Sequence, residues 1–144
     1  MLHDFINNFK VVQVIDPATH TADVDGDSVD LLHYSGVTFL ALVGESGDTL
    51  SGSVKVELEV EDSDDDSSFS DVADADLQNY VAGTNDGCFG VIDAAAEDDA
   101  VYKGTYKGSS RYARPVINLV GTHTNGIPIG IVAILHGAEN LPAA

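Results

Sequence analysis

Apolar residues in this chain come in short runs, broken every eight to twelve positions or so by clusters of Gly, Asp, Ser and Pro; no stretch carries the 3.6-residue repeat of a long amphipathic helix. The pattern predicts an all-β protein. Val11 to Ile15 reads as a first strand stopped by Asp16 and Pro17, with Thr19 to Val24 pairing back onto it ahead of the polar turn Asp25, Gly26, Asp27. Val37 to Val43 is apolar at nearly every position, which predicts a central strand covered on both faces, with Gly44 to Ser53 as its loop. Val54 to Val60 alternates most clearly: Val54, Val56, Leu58 and Val60 face a core, and Lys55, Glu57 and Glu59 face water.

After the polar turn Asp62 to Ser68, the pattern weakens from Ala73 to Asp99 into a long irregular excursion. It holds one short strand around Cys88 to Ile92 and a helical turn near Asp74 to Asn79. Val101 to Lys107 alternates again and Tyr112 to Val120 returns after Gly108 to Ser110, which predicts a hairpin. Pro115 cannot donate to a ladder, so it belongs at a sheet edge or a bulge. Ile129 to Leu135 closes the fold. Seven to nine strands in 144 residues predict one domain, 1–144, a two-sheet β-sandwich of jelly-roll or Greek-key type.

Charge adds an asymmetry that the strand pattern does not show. The formal net charge is −18, and 23 of the 24 acidic residues lie between Asp4 and Asp99, whereas Ala100 to Ala138 holds four of the six basic residues and no carboxylate. Such a chain repels phosphate backbones, which argues against nucleic acid as a partner. The longest apolar run, Ile127 to Leu135, contains Pro128 and Gly130 and falls short of the ~20 residues of a membrane helix. No membrane partner and no secretory signal are expected. Cys88 is the only cysteine and reads as a small buried side chain, so no intrachain disulfide contributes.

Few residues carry a motif of chemistry. Asp23, Asp25, Asp27 and Asp62, Asp64, Asp66 have the spacing of calcium ligands, but both stretches lack the glycine and the distal glutamate of a calcium loop. Asp62, Asp64 and Asp66 are therefore only weak metal candidates, and the plainer reading is a solvated acidic turn. The histidines His3, His20, His33, His123 and His136 have no zinc spacing. Neither a nucleophile elbow nor a phosphate loop is present, so neither an enzyme nor a cofactor is expected. The remaining constellation is Lys103, Lys107, Arg111 and Arg114 with Tyr102, Tyr106 and Tyr112. It reads either as an ordinary exposed hairpin or as an interface, where Arg and aromatic residues are enriched.

The segment Val54 to Val72, VKVELEVEDSDDDSSFSDV, and the segment Val101 to Ile117, VYKGTYKGSSRYARPVI, together resemble a family of small structural proteins of tailed bacteriophages. The shared features are a strand ending in a Ser-Asp-Asp turn, a following aromatic, an Asp-Val pair and a late Tyr-x-Gly-Ser-x-Arg-Tyr-x-Arg stretch; the opening FKVVQVIDPATHTADVDGDSVDL fits the same pattern. The resemblance implies a capsid cement or decoration protein on the exterior of the virion, made in the host bacterial cytoplasm, with the major capsid protein as partner. The strand Ile129 to Leu135, apolar on both faces, suits cover by its own core on one face and by a neighbouring copy on the other, commonly in a homotrimer, and Lys103, Lys107, Arg111, Tyr112, Arg114, Ile129, Ile131 and Leu135 are expected at the subunit or capsid interface. Two alternatives stay open: another virion part, such as a head-tail connector or tail component, and a carbohydrate-binding sandwich stacking sugars on Tyr80, Tyr102, Tyr106 and Tyr112.

Overall fold

The alternating runs become eleven strands in two antiparallel sheets in the computed structural model, which describes residues 4–143. The strands are β1 (Lys10–His20), β2 (Val24–Asp25), β3 (Val29–Asp30), β4 (Gly36–Val43), β5 (Lys55–Ser63), β6 (Ser70–Asp71), β7 (Leu77–Gln78), β8 (Cys88–Ile92), β9 (Ala100–Tyr106), β10 (Tyr112–Val120) and β11 (Ile127–His136). Sheet A runs β1-β11-β4-β9-β7. Sheet B runs β2-β10-β5-β6, with β3 also on β10 and β8 also on β5. The chain changes sheet at nearly every connection, and the only helical elements described are 3-10 turns at Ile6–Asn8 and Asp74–Asp76.

Period-two alternation explains the core. Sheet A sends Val37, Phe39, Ala41, Tyr106, Ile129, Ile131, Ala133 and Leu135 inward, and sheet B sends Val56, Leu58, Val60, Ile92, Ala113, Ile117 and Leu119 to meet them. Cys88 is buried as expected, its thiol directed at the Gly90 carbonyl and pushed up in pKa by desolvation. The Cys88–Ile92 strand within the excursion is present with the expected bounds.

Several expectations need correction. Asp16 and Pro17 do not stop the first strand, and Thr19 to Val24 does not pair back onto it: β1 runs through to His20, paired to β11, with irregularities between Gln13 and Ala18, and Val24 pairs with β10 instead. Val101–Lys107 and Tyr112–Val120 are not a hairpin, because β9 pairs with β4 in sheet A and β10 with β5 in sheet B. The connection arches across the sandwich edge over the buried Tyr106 ring, whose hydroxyl donates to Asp62 Oδ2 at 2.7 Å and accepts from Ser110 N at 3.1 Å. Gly108 sits so close to that ring that an added Cβ would lie 2.4 Å from the hydroxyl oxygen.

Pro115 lies in a central strand, which excludes the edge and leaves the bulge: Arg114 and Pro115 of β10 face three residues, Gly26 to Ser28, between β2 and β3. The Pro115 carbonyl accepts from Gly26 N, so its missing N–H points at the gap between β2 and β3, where no ladder bond is lost.

Candidate interaction surfaces

Alternation also gives each sheet an outer face, and the two faces differ in charge. On sheet B the outward positions hold Asp25, Asp30, Glu57, Glu59, Glu61 and Asp71. The basic residues of β10 and its approach are spent here. Arg111 donates from Nε and Nη2 to the two oxygens of Asp30 at 2.9 and 2.7 Å, which holds the Asp30 carboxyl below its ordinary pKa and raises that of the guanidinium. Arg114 reaches Glu61 at 2.6 Å and Asp25 at 3.2 Å, and its guanidinium lies 4.2 Å from the centroid of Phe69. Tyr112 is half-buried with Arg111 over its ring. These three expected interface residues therefore serve the fold, and Arg111 and Arg114 offer no unpaired charge to a partner.

Glu57 and Glu59 were expected in water and are 4% and 6% exposed. Segment 79–87 of the excursion lies over them: Asn85 Nδ2 donates to Glu57 Oε2 and Glu59 Oε1, and Asn118 Nδ2 reaches the same two oxygens at 3.4 and 3.3 Å. Lys55 Nζ holds the other Glu57 oxygen at 2.6 Å. Two buried carboxylates with one ammonium leave net negative charge, and desolvation pushes the Glu59 carboxyl above its ordinary pKa. Alternation alone could not reveal this cover, which comes from residues distant in sequence.

The two acid triplets do not converge. Asp62 accepts from Tyr106, Asp66 from Ser28 Oγ, and Asp64 is exposed. Between them Asp65 organises the turn, accepting from Ser67 N and Ser68 N, which hold its carboxyl far below the usual range. In the other stretch Asp23 accepts from Leu119 N and Asp25 pairs with Arg114. Among the described residues, no group of three or more His, Cys, Asp or Glu is placed to hold a metal ion. His33 pairs with Glu139 at 2.6 Å, His123 is buried with Nε2 on the carbonyls of Lys55 and Val120, His136 Nε2 lies 3.3 Å from Thr38 Oγ1, and His20 Nε2 faces the Ile129 carbonyl; His3 lies outside the described residues.

Sheet A is the opposite case. Ile129, Ile131 and Leu135, expected to meet a neighbour, are 1%, 1% and 3% exposed and belong to the chain's own core. Their strand presents Pro128, Gly130, Val132 and Ile134 outward, in register with Leu40 and Leu42 on β4 and with Val101 and Lys103 on β9. The regular outward positions of β1, β11, β4 and β9 carry no carboxylate, and Asp16 stands at the β1 irregularity on the margin. β4 is thus central in its sheet but covered on one face only; Leu42 is 52% exposed. A depression of about 600 Å³ opens over Gly130, lined by Gln13, Pro17, Leu42, Pro128 and Val132. Lys103 and Lys107 are exposed along this face and its edge, and among the described residues neither makes an ion pair.

A second apolar surface lies at the end of the sandwich where β1 begins and β11 ends. Phe5, Ile6, Leu32 and Leu141 are each more than half exposed there. The N-terminal turn and the C-terminal segment are tied by Ala143 N donating to Asn7 O, and Glu139 N donates to the His33 carbonyl. The aromatic rings proposed for sugar stacking are not arrayed together: Tyr106 is fully buried, Tyr102 is half-buried with its hydroxyl on the Glu97 carbonyl, and Tyr80 stands apart at the β7 edge. No protein-family model matches this chain, and no curated protein matches it.

Proposed function

We propose that this chain is a non-enzymatic virion structural protein that binds the outside of a phage head and stabilises the capsid by bridging subunits. The observation that carries the reading is the pair of differently directed apolar surfaces, one on the flat of sheet A and one at the terminal end. A bridging protein needs two such surfaces, and single scattered apolar residues would need no explanation. The phage resemblance supplies the partner, the major capsid protein. Copies of the chain also meet one another. Ile129, Ile131 and Leu135 lie in the core and do not make that contact; it falls to the outward face of the same strand.

The unpaired Lys103 and Lys107 support contact with an acidic neighbour, and at a contact rim they speed and orient docking more than they tighten it. The test is co-sedimentation of the purified protein with heads assembled from capsid protein alone. Saturable binding at a fixed ratio to capsid protein supports the reading; absence of binding to heads, with binding instead to tails or connectors, replaces it with another virion part.

A further inference from the structure

We propose that the outer face of sheet A pairs with the same face of a second copy, about a two-fold axis parallel to its strands, so that Leu42 of each copy seats in the depression over Gly130 of the other. The inference rests on the reading above in that it assigns one of the two surfaces to self-contact and leaves the terminal end to the shell.

Charge selects the occupant. Copies carrying −18 each repel through most orientations. The outer face of sheet B would set carboxylate against carboxylate, whereas the regular strand positions of sheet A have none to oppose.

Register then selects the axis. One row across the sheet reads Gln13, Val132, Leu40, Lys103, and the next Pro17, Gly130, Leu42, Val101. A two-fold axis along the strands, between β11 and β4, keeps each row at its own height and reverses its order. Lys103 of one copy comes over Gln13 of the other, whose Nε2 donates to Asp16 Oδ1 at 2.6 Å, bringing near the lysine a carboxylate with which, among the described residues, it makes no ion pair in its own chain. Leu42 comes over Gly130, where the missing side chain leaves the depression, and Val101 over Pro17. An axis perpendicular to the strands would lay β9 on β9 and bring the lysine-bearing strands of the two copies together, away from Asp16 on β1.

Size is adequate. Four strands about 4.8 Å apart and about eight residues long cover a projected area on the order of 500 Å². Side-chain relief brings this toward the ~800 Å² per partner of a stable interface. Sheets stacked face to face at roughly 10 Å, the ordinary sandwich spacing, bring such side chains into contact.

Sedimentation equilibrium of the full chain across micromolar concentrations is expected to show a dimer. Leu42→Asp should raise the dimer dissociation constant at least tenfold with an unchanged circular dichroism spectrum, since Leu42 is half out of the fold. As a second measurement, Gln13→Cys with Lys103→Cys should be joined between chains by a short bismaleimide linker, the roughly 10 Å between facing sheets being too wide for a direct disulfide, while Lys103→Cys alone should not; within one chain the two positions are three strands apart. A monomeric parent, a trimer, a dimer indifferent to Leu42→Asp, or cross-linking by Lys103→Cys alone overturns the pairing. A dimer with the expected cross-link supports it whether or not the protein binds heads, so this inference and the proposed function fail separately.

Discussion

Glu59 shows at the scale of one residue how the fold accepts a cost. Its carboxylate is buried beside Glu57 under two amide donors, and its pKa is raised, so the folded state binds a proton more readily than the unfolded chain does. A raised folded-state pKa gives stability that is fully present below the unfolded value and lost as pH rises through the folded value. Glu59→Gln keeps an acceptor for the amides and removes the charge. It should raise the melting temperature at pH 7, by the equivalent of about 1 kcal/mol, and flatten the decline in stability between pH 4 and 7, roughly the range above the ordinary carboxyl value. Thermal melts across that range check it; an unchanged profile would show the pair to be hydrated. Tyr106→Phe tests the arch. The Tyr106 hydroxyl, pushed up to about 12 by burial, stays un-ionised while it bonds Asp62 and Ser110, so its removal should cost about 1–2 kcal/mol in urea denaturation. Neither environment was legible in the sequence, since both depend on groups more than twenty residues away: Asn85 and Asn118 over Glu59, Asp62 beneath Tyr106.

At the scale of elements, the longer strands were legible, whereas their partners and the two-residue strands β2, β3, β6 and β7 were not. The period-two run from Val54 to Val60 marks β5 whichever strand lies beside it, and the Cys88–Ile92 strand stands out within a polar stretch. Two alternating runs separated by Gly-Ser fit a hairpin and a sheet-crossing arch equally well; which forms depends on whether Tyr106 turns into the core, a property of the whole sandwich. The same limit applied to the arginines, whose carboxylate partners come from β2, β3 and β5. This yields a graded expectation. Arg114→Glu, at a partly buried site with two carboxylates and the Phe69 ring, should destabilise by about 3–5 kcal/mol, as breaking a buried pair does. Arg111→Glu, at an exposed pair, should cost about 1 kcal/mol or less. Chemical denaturation of the two variants separates them, and equal effects would contradict the assigned environments.

At the scale of the molecule, the division of charge between the two parts of the sequence becomes a division between faces. Sheet B carries acids outward and neutralises Arg111 and Arg114 among them; sheet A stays apolar and keeps Lys103 and Lys107 unspent. The sequence's C-terminal basic block pointed to a contact surface, but the surface is drawn from β1, β4, β9 and β11 together, and only the register shows which of their residues it holds. The central claim is that this surface and the terminal end together add contacts a bare head lacks, stabilising it by mass action: about 2.7 kcal/mol per site at a hundredfold excess over Kd. The most direct measurement is genome release during a thermal ramp from particles carrying the protein and from particles stripped of it. Release at a distinctly higher temperature from the decorated particles, restored when the purified protein is added back, is the predicted result. Identical release temperatures with the protein bound would contradict the cement role.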